Sequence, residues 1–126
     1  KLKRLDKWNA KRNEAASLYL SLLKDVPQIK LPVTVDGNYH VYHLFVVRTN
    51  KRNELQDYLL KYGISTMIHY PIPIHLQPAA KSLNYKKGSF PVAERQCEEI
   101  LSLPLYPGLT QADQNYIIDK IYEFYK

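Results

Sequence analysis

The run Tyr39 to Arg48, YHVYHLFVVR, is dense in β-branched and aromatic residues and carries apolar side chains on both faces, as a strand covered on both sides requires. Such a strand needs a layer against each face, and the sequence around it supplies helices. Upstream, Leu5, Trp8, Ala15, Tyr19, Leu22 and Val26 recur in steps of three and four, with Arg12 in the slot between Trp8 and Ala15. That spacing predicts one long helix over about 2–25. Pro27 ends it, because proline disfavours a helical residue before it and donates no amide proton. Pro27 to Asn38, with Pro32, Asp36 and Gly37, reads as a connector.

Downstream, Asn50 is placed to cap a second helix with a Leu55, Tyr58, Leu59, Tyr62 stripe, and Gly63 to stop it in a left-handed conformation. Ile64 to Ile68 alternates as a further strand. Pro71, Pro73 and Pro78 then exclude ladder pairing and predict a stiff, extended loop. Pro91 suits the first turn of a third helix, with Val92, Cys97, Ile100 and Leu101 on a rough stripe, followed by a short extended segment from Ser102 to Tyr106. Thr110 with Asp113 three residues on resembles a capping box with aspartate in place of glutamate, opening a terminal helix whose Ile117, Ile121 and Phe124 face one way. The order predicts an α/β fold: a small sheet of about three strands covered by helices.

The 126 residues suffice for one domain and not for an enzyme with separate cofactor and substrate domains. The net charge of +6, from 18 Lys+Arg against 12 Asp+Glu, owes much to Lys1, Lys3, Arg4, Lys7, Lys11 and Arg12. No interleaved stacking aromatics or helix-turn-helix accompany them, so we read a solvated or partner-facing helix side and no nucleic-acid partner. Apolar runs such as Leu44 to Val47 fall far short of the roughly 20 residues that cross a bilayer, and no signal peptide is evident. The expectation is a cytoplasmic protein that does not engage a membrane. The one cysteine, Cys97, excludes an internal disulfide framework and a multi-cysteine zinc site, and fits a small buried residue. Because the only methionine is Met67 and a helical pattern is already running at Leu2, Lys1 is expected to lie inside a longer polypeptide.

Among the four histidines, His40 and His43 are three apart on the predicted strand, so they leave it on opposite faces and make poor ligands for one ion. No metal site is expected. His69 and Tyr70 end a strand and open the proline-braced run HYPIPIHLQ, where preorganised polar side chains suit a binding site. The alternative has His69 packing at its strand end and Tyr70 covering the sheet. Four scattered glycines build no phosphate loop, and no serine sits in a nucleophile elbow. Glu98 and Glu99 are adjacent on a helix and point apart, so they do not form an acid/base pair.

Taken together, YHVYHLFVVR, RNELQDYLLKYGISTMIHYPIPIHLQ and FPVAERQCEEILSLPLYPGLT closely resemble the C-terminal small domain of the DegT/DnrJ/StrS-type sugar aminotransferases, pyridoxal-phosphate enzymes of aminotransferase fold type I. RLDKWNAKRNEAASLYLSLL is similar to the long helix that opens that domain, so the likeness covers nearly all of residues 1–126. The resemblance implies a parent that transfers an amino group from glutamate to a nucleotide-linked keto sugar, for amino-sugar or polysaccharide biosynthesis. Pyridoxal phosphate would be bound mainly by a large domain that carries the Schiff-base lysine, absent here along with the aspartate that pairs with the pyridine nitrogen. No catalytic residue is therefore assigned, the cofactor contacts within this chain stay unknown, and the isolated chain is expected to be inactive.

The resemblance further implies that His69 and Tyr70 face the sugar nucleotide, with His75 as a third substrate-binding residue. His75 and Gln77 among the prolines suggest members acting on deoxy keto sugars carried on a thymidine nucleotide. It also implies a homodimer with composite clefts. A different class stays open: a noncatalytic binding or regulatory module that keeps the small-domain fold. Leu5, Trp8 and Tyr19 of the first helix are the expected face toward the missing domain.

Overall fold

The computed structural model describes residues 1–126. A single 3-10 turn at Leu2–Arg4 leads into helix α1 (Leu5–Leu23), and the chain turns at Lys24 and Asp25 before Pro27. Strand β1 (Phe45–Arg48), helix α2 (Arg52–Lys61), two 3-10 segments (Ile74–Leu76 and Pro78–Leu83), helix α3 (Pro91–Glu99), strand β2 (Ile100–Leu103) and helix α4 (Gln111–Tyr125) follow.

The two strands are antiparallel, with Phe45 opposite Leu103, Val46 opposite Ser102, Val47 opposite Leu101 and Arg48 opposite Ile100. Phe45, Val47, Leu101 and Leu103 are buried on one face, which is the alternation a one-sided sheet needs. They meet Tyr19 and Leu23 of α1, Leu55 and Leu59 of α2, and Ile117 and Ile121 of α4 in one core. Single residue pairs extend the sheet on both edges. Lys30 and Arg48 exchange backbone hydrogen bonds of 2.8 and 3.0 Å on one side, and Met67 and Ser102 exchange bonds of 2.8 and 3.2 Å on the other.

Three helix boundaries fall where the sequence predicts them. Gly63 takes φ +76° beyond α2, Pro91 opens α3, and Thr110 accepts the Asp113 amide at 3.1 Å while donating its hydroxyl to that carboxylate at 2.6 Å. The strands are shorter than expected. Only the last four residues of Tyr39–Arg48 pair, because Tyr42 adopts φ +46° and turns the chain; its amide donates to His40 Nδ1 at 2.9 Å and its ring is buried beside Phe45. His40 and His43 thus lie outside the sheet, the first bracing its own turn and the second exposed. Ile64–Ile68 makes one bridge, at Met67, and no strand.

Other details shift by a residue or two. Ile100 and Leu101 leave the third helix for β2, where they complete the pairing with Val47 and Arg48. Thr49, not Asn50, accepts the amide at the start of α2, at 3.3 Å from Lys51. Cys97 is half-buried. The buried stripe of α1 is Ala16, Tyr19 and Leu23, with Leu22 exposed. Tyr19 is therefore no part of an outward face: it is fully buried, and its hydroxyl donates to the Pro104 carbonyl at 3.0 Å.

Candidate functional site

The segment from Ile68 to Phe90 carries the three residues singled out from the sequence. Its start is pinned to the far edge of β2 by the Met67–Ser102 bridge, which brings the next residues beside Ser102. His69 is half-buried, with Nδ1 2.9 Å from the Ser102 hydroxyl oxygen. Tyr70 follows across a cis peptide; its ring meets the His69 ring edge-on at 5.6 Å and stays 69% exposed. Ile72 and Ile74 are likewise exposed, while Gln77 donates its side-chain amide back to the Ile72 carbonyl at 3.2 Å, closing the proline-rich turn.

His75 sits differently. It is buried, its Nε2 lies 2.9 Å from Glu94 Oε1, and the Phe90 ring packs on the imidazole at 4.8 Å. Glu94 also accepts the Gly88 amide on both oxygens, at 2.9 and 2.8 Å, and the Phe90 amide at 3.2 Å. The Gly88 hydrogen bond is the largest influence holding this carboxyl below its ordinary range, with the Phe90 amide and His75 adding to it against partial burial. One carboxylate on α3 thus ties the middle of the loop, at His75, to its C-terminal end, at Gly88 and Phe90. Between them His75, Gln77, Lys81, Tyr85 and Lys86 line an open groove of about 560 Å³.

Ser102 and Glu94 were not foreseen. Ser102 lies 33 positions from His69 in sequence, and only the strand register reveals the pairing. Glu94 could have been suspected from its place three residues after Pro91 at a helix start, where amides seek acceptors.

Lys120 does not fit covalent attachment of pyridoxal phosphate. An imine-forming lysine needs its amine pKa lowered by desolvation or by a neighbouring cation. Lys120 instead donates to Glu123 at 2.7 Å, which pushes its ammonium up, and it rests over the Tyr62 ring at 4.4 Å. No group of three or more His, Cys, Asp or Glu residues comes together as a metal site. No helix is long and apolar enough to cross a membrane.

Comparison with known proteins gives this arrangement its context. The profile of the DegT/DnrJ/EryC1/StrS aminotransferase family matches residues 1–122, and the chain belongs to that family. It is 44% identical to a pleiotropic regulatory protein of Geobacillus stearothermophilus over the whole chain and 34% of that protein. It is 43% identical to a dTDP-3-amino-3,4,6-trideoxy-alpha-D-glucose transaminase of Streptomyces venezuelae, over 98% of this chain and 33% of that one. The structure of S. venezuelae DesV in complex with a ketimine intermediate superposes with a TM-score of 0.95 at 42% identity, covering 99% of this chain and 34% of that one. The fold is that found in type I aminotransferases, and the chain spans about a third of the length of the relatives it matches.

Proposed function

We propose that residues 1–126 are the C-terminal small domain of a pyridoxal-phosphate-dependent aminotransferase that moves an amino group from glutamate to a nucleotide-linked keto sugar. The observation that carries this reading is the family match over residues 1–122 together with 43% identity to a dTDP-3-amino-3,4,6-trideoxy-alpha-D-glucose transaminase. Within it, the His69–Tyr70 turn faces the sugar nucleotide: Tyr70 presents an exposed phenol, and His69 is held from behind by a buried hydroxyl. We assign His75 to the same site through its place in the wall of the adjoining groove, where its imidazole fixes the loop against Glu94. Lysine and aspartate groups elsewhere in the polypeptide hold the cofactor, which when bound supplies the electron sink for amino transfer. The working form is a cytoplasmic homodimer with composite clefts.

Incubating the full-length polypeptide with glutamate, pyridoxal phosphate and a dTDP-linked 3-keto deoxysugar tests this. The expected products are 2-oxoglutarate and a dTDP-linked amino sugar in equal amounts. A full-length protein that binds dTDP-sugar without turnover favours the second reading, a noncatalytic binding or regulatory module, to which the name of the Geobacillus relative lends support.

A further inference from the structure

We propose that Ser102 is a positioning residue: its hydroxyl donates to His69 Nδ1 and so fixes the imidazole in the tautomer that offers Nε2–H to an oxygen acceptor of the sugar nucleotide. This deepens the reading above and rests on the His69 turn facing that ligand. Ser102 is 5% exposed, and the one side-chain partner of its Oγ is His69 Nδ1 at 2.9 Å. If Oγ accepted a proton from Nδ1, its own proton would be buried with no acceptor. A stranded donor costs more than a spare lone pair on an oxygen that already has one bond, so the hydroxyl donates.

The arrangement is stiff. The Ser102 backbone is paired to Val46 on one side and, by two hydrogen bonds, to Met67 on the other, so the hydroxyl cannot follow movements of the loop. At the other end of the ring, Nε2 bonds nothing within the chain. The buried side-chain polar atoms that lack a partner are Arg12 Nε and Thr66 Oγ1, so Nε2 is reached by solvent. A neutral imidazole fixed this way is an oriented donor for a sugar hydroxyl, a keto oxygen or a phosphate oxygen.

The test labels the histidines of the full-length protein with 15N and identifies His69 by the signals lost in His69→Gln. Spectra are taken near pH 8.5, about two units above the ordinary imidazole pKa. The expected wild-type pattern is a single tautomer with the proton on Nε2. In Ser102→Ala the ring shifts should move toward averaged values and kcat/KM for the dTDP-linked keto sugar should fall about tenfold, as for loss of one hydrogen bond. Ser102→Thr should restore both. A wild-type His69 protonated on Nδ1 overturns the proposal without any variant, and so do unchanged ring shifts in Ser102→Ala. If the wild type shows Nε2–H but His69→Gln leaves kcat/KM unchanged, the placement of the turn against substrate fails, and the role given to Ser102 fails with it.

Discussion

Tyr70 and His69 are adjacent, yet the structure gives them different dependences on the fold. The Tyr70 phenol is exposed, so Tyr70→Phe removes a polar group and no packing. If the full-length protein is the aminotransferase proposed above, this substitution should lower kcat/KM by about 1 to 3 kcal/mol of transition-state binding and leave the melting temperature unchanged. His69→Gln keeps an acceptor for Ser102 and should behave similarly with a small stability loss. His43 was expected in the sheet, but it lies outside it and is exposed, so His43→Gln should alter neither quantity and serves as the control.

Glu94 supplies the pH-dependent part. Its folded pKa is depressed, chiefly by the Gly88 amide, so its contribution is present above the unfolded carboxyl value of 4.5 and is lost as pH falls through the lower folded value. Glu94→Gln should melt earlier than wild type at neutral pH, and the gap between them should close as the pH is lowered below about 4.5. A gap that stays constant across that range in a thermal melt series would count against the loop staple.

At the level of elements, the legible features were those written locally. Pro27, Gly63, Pro91 and the Thr110–Asp113 pair act close to their own positions, and the ends of α1 and α2 and the starts of α3 and α4 fall accordingly. Gly63→Ala should cost about 1 to 2 kcal/mol from the left-handed backbone alone, since nothing lies within 4 Å of the added methyl. Thr110→Ala should cost about 1 kcal/mol through the lost cap. Both are read by denaturant unfolding.

The strands were less legible because their limits are set by distant partners. Nothing in YHVYHLFVVR announces that Tyr42 will turn at positive φ, held by its neighbour His40 and by burial of its ring. Ile64–Ile68 pairs only at Met67, after which the chain leaves the sheet for the His69 turn. The site was half legible for the same reason. The proline loop is visible in sequence, while Ser102 and Glu94 reach it only through the fold.

Across the whole molecule, one core joins α1, α2 and α4 to the sheet, and Phe45 lies at its centre, fully buried against Tyr19 with ring centroids 4.9 Å apart. Phe45→Ala should destabilise the chain by about 3 to 5 kcal/mol, which is a large part of the stability of a domain this size. The loop that carries His69 and Tyr70 sits outside that core, anchored at Ser102 and Glu94, so its exposed side chains can be altered without unfolding the chain. The proposed placement of this loop in the sugar-nucleotide cleft of a larger aminotransferase is tested by kcat/KM, melting temperature and cofactor absorbance on one preparation of full-length Tyr70→Phe. About a tenfold fall in kcat/KM is expected, as for one lost hydrogen bond, with melting and absorbance unchanged. Wild-type turnover with unchanged melting would contradict it.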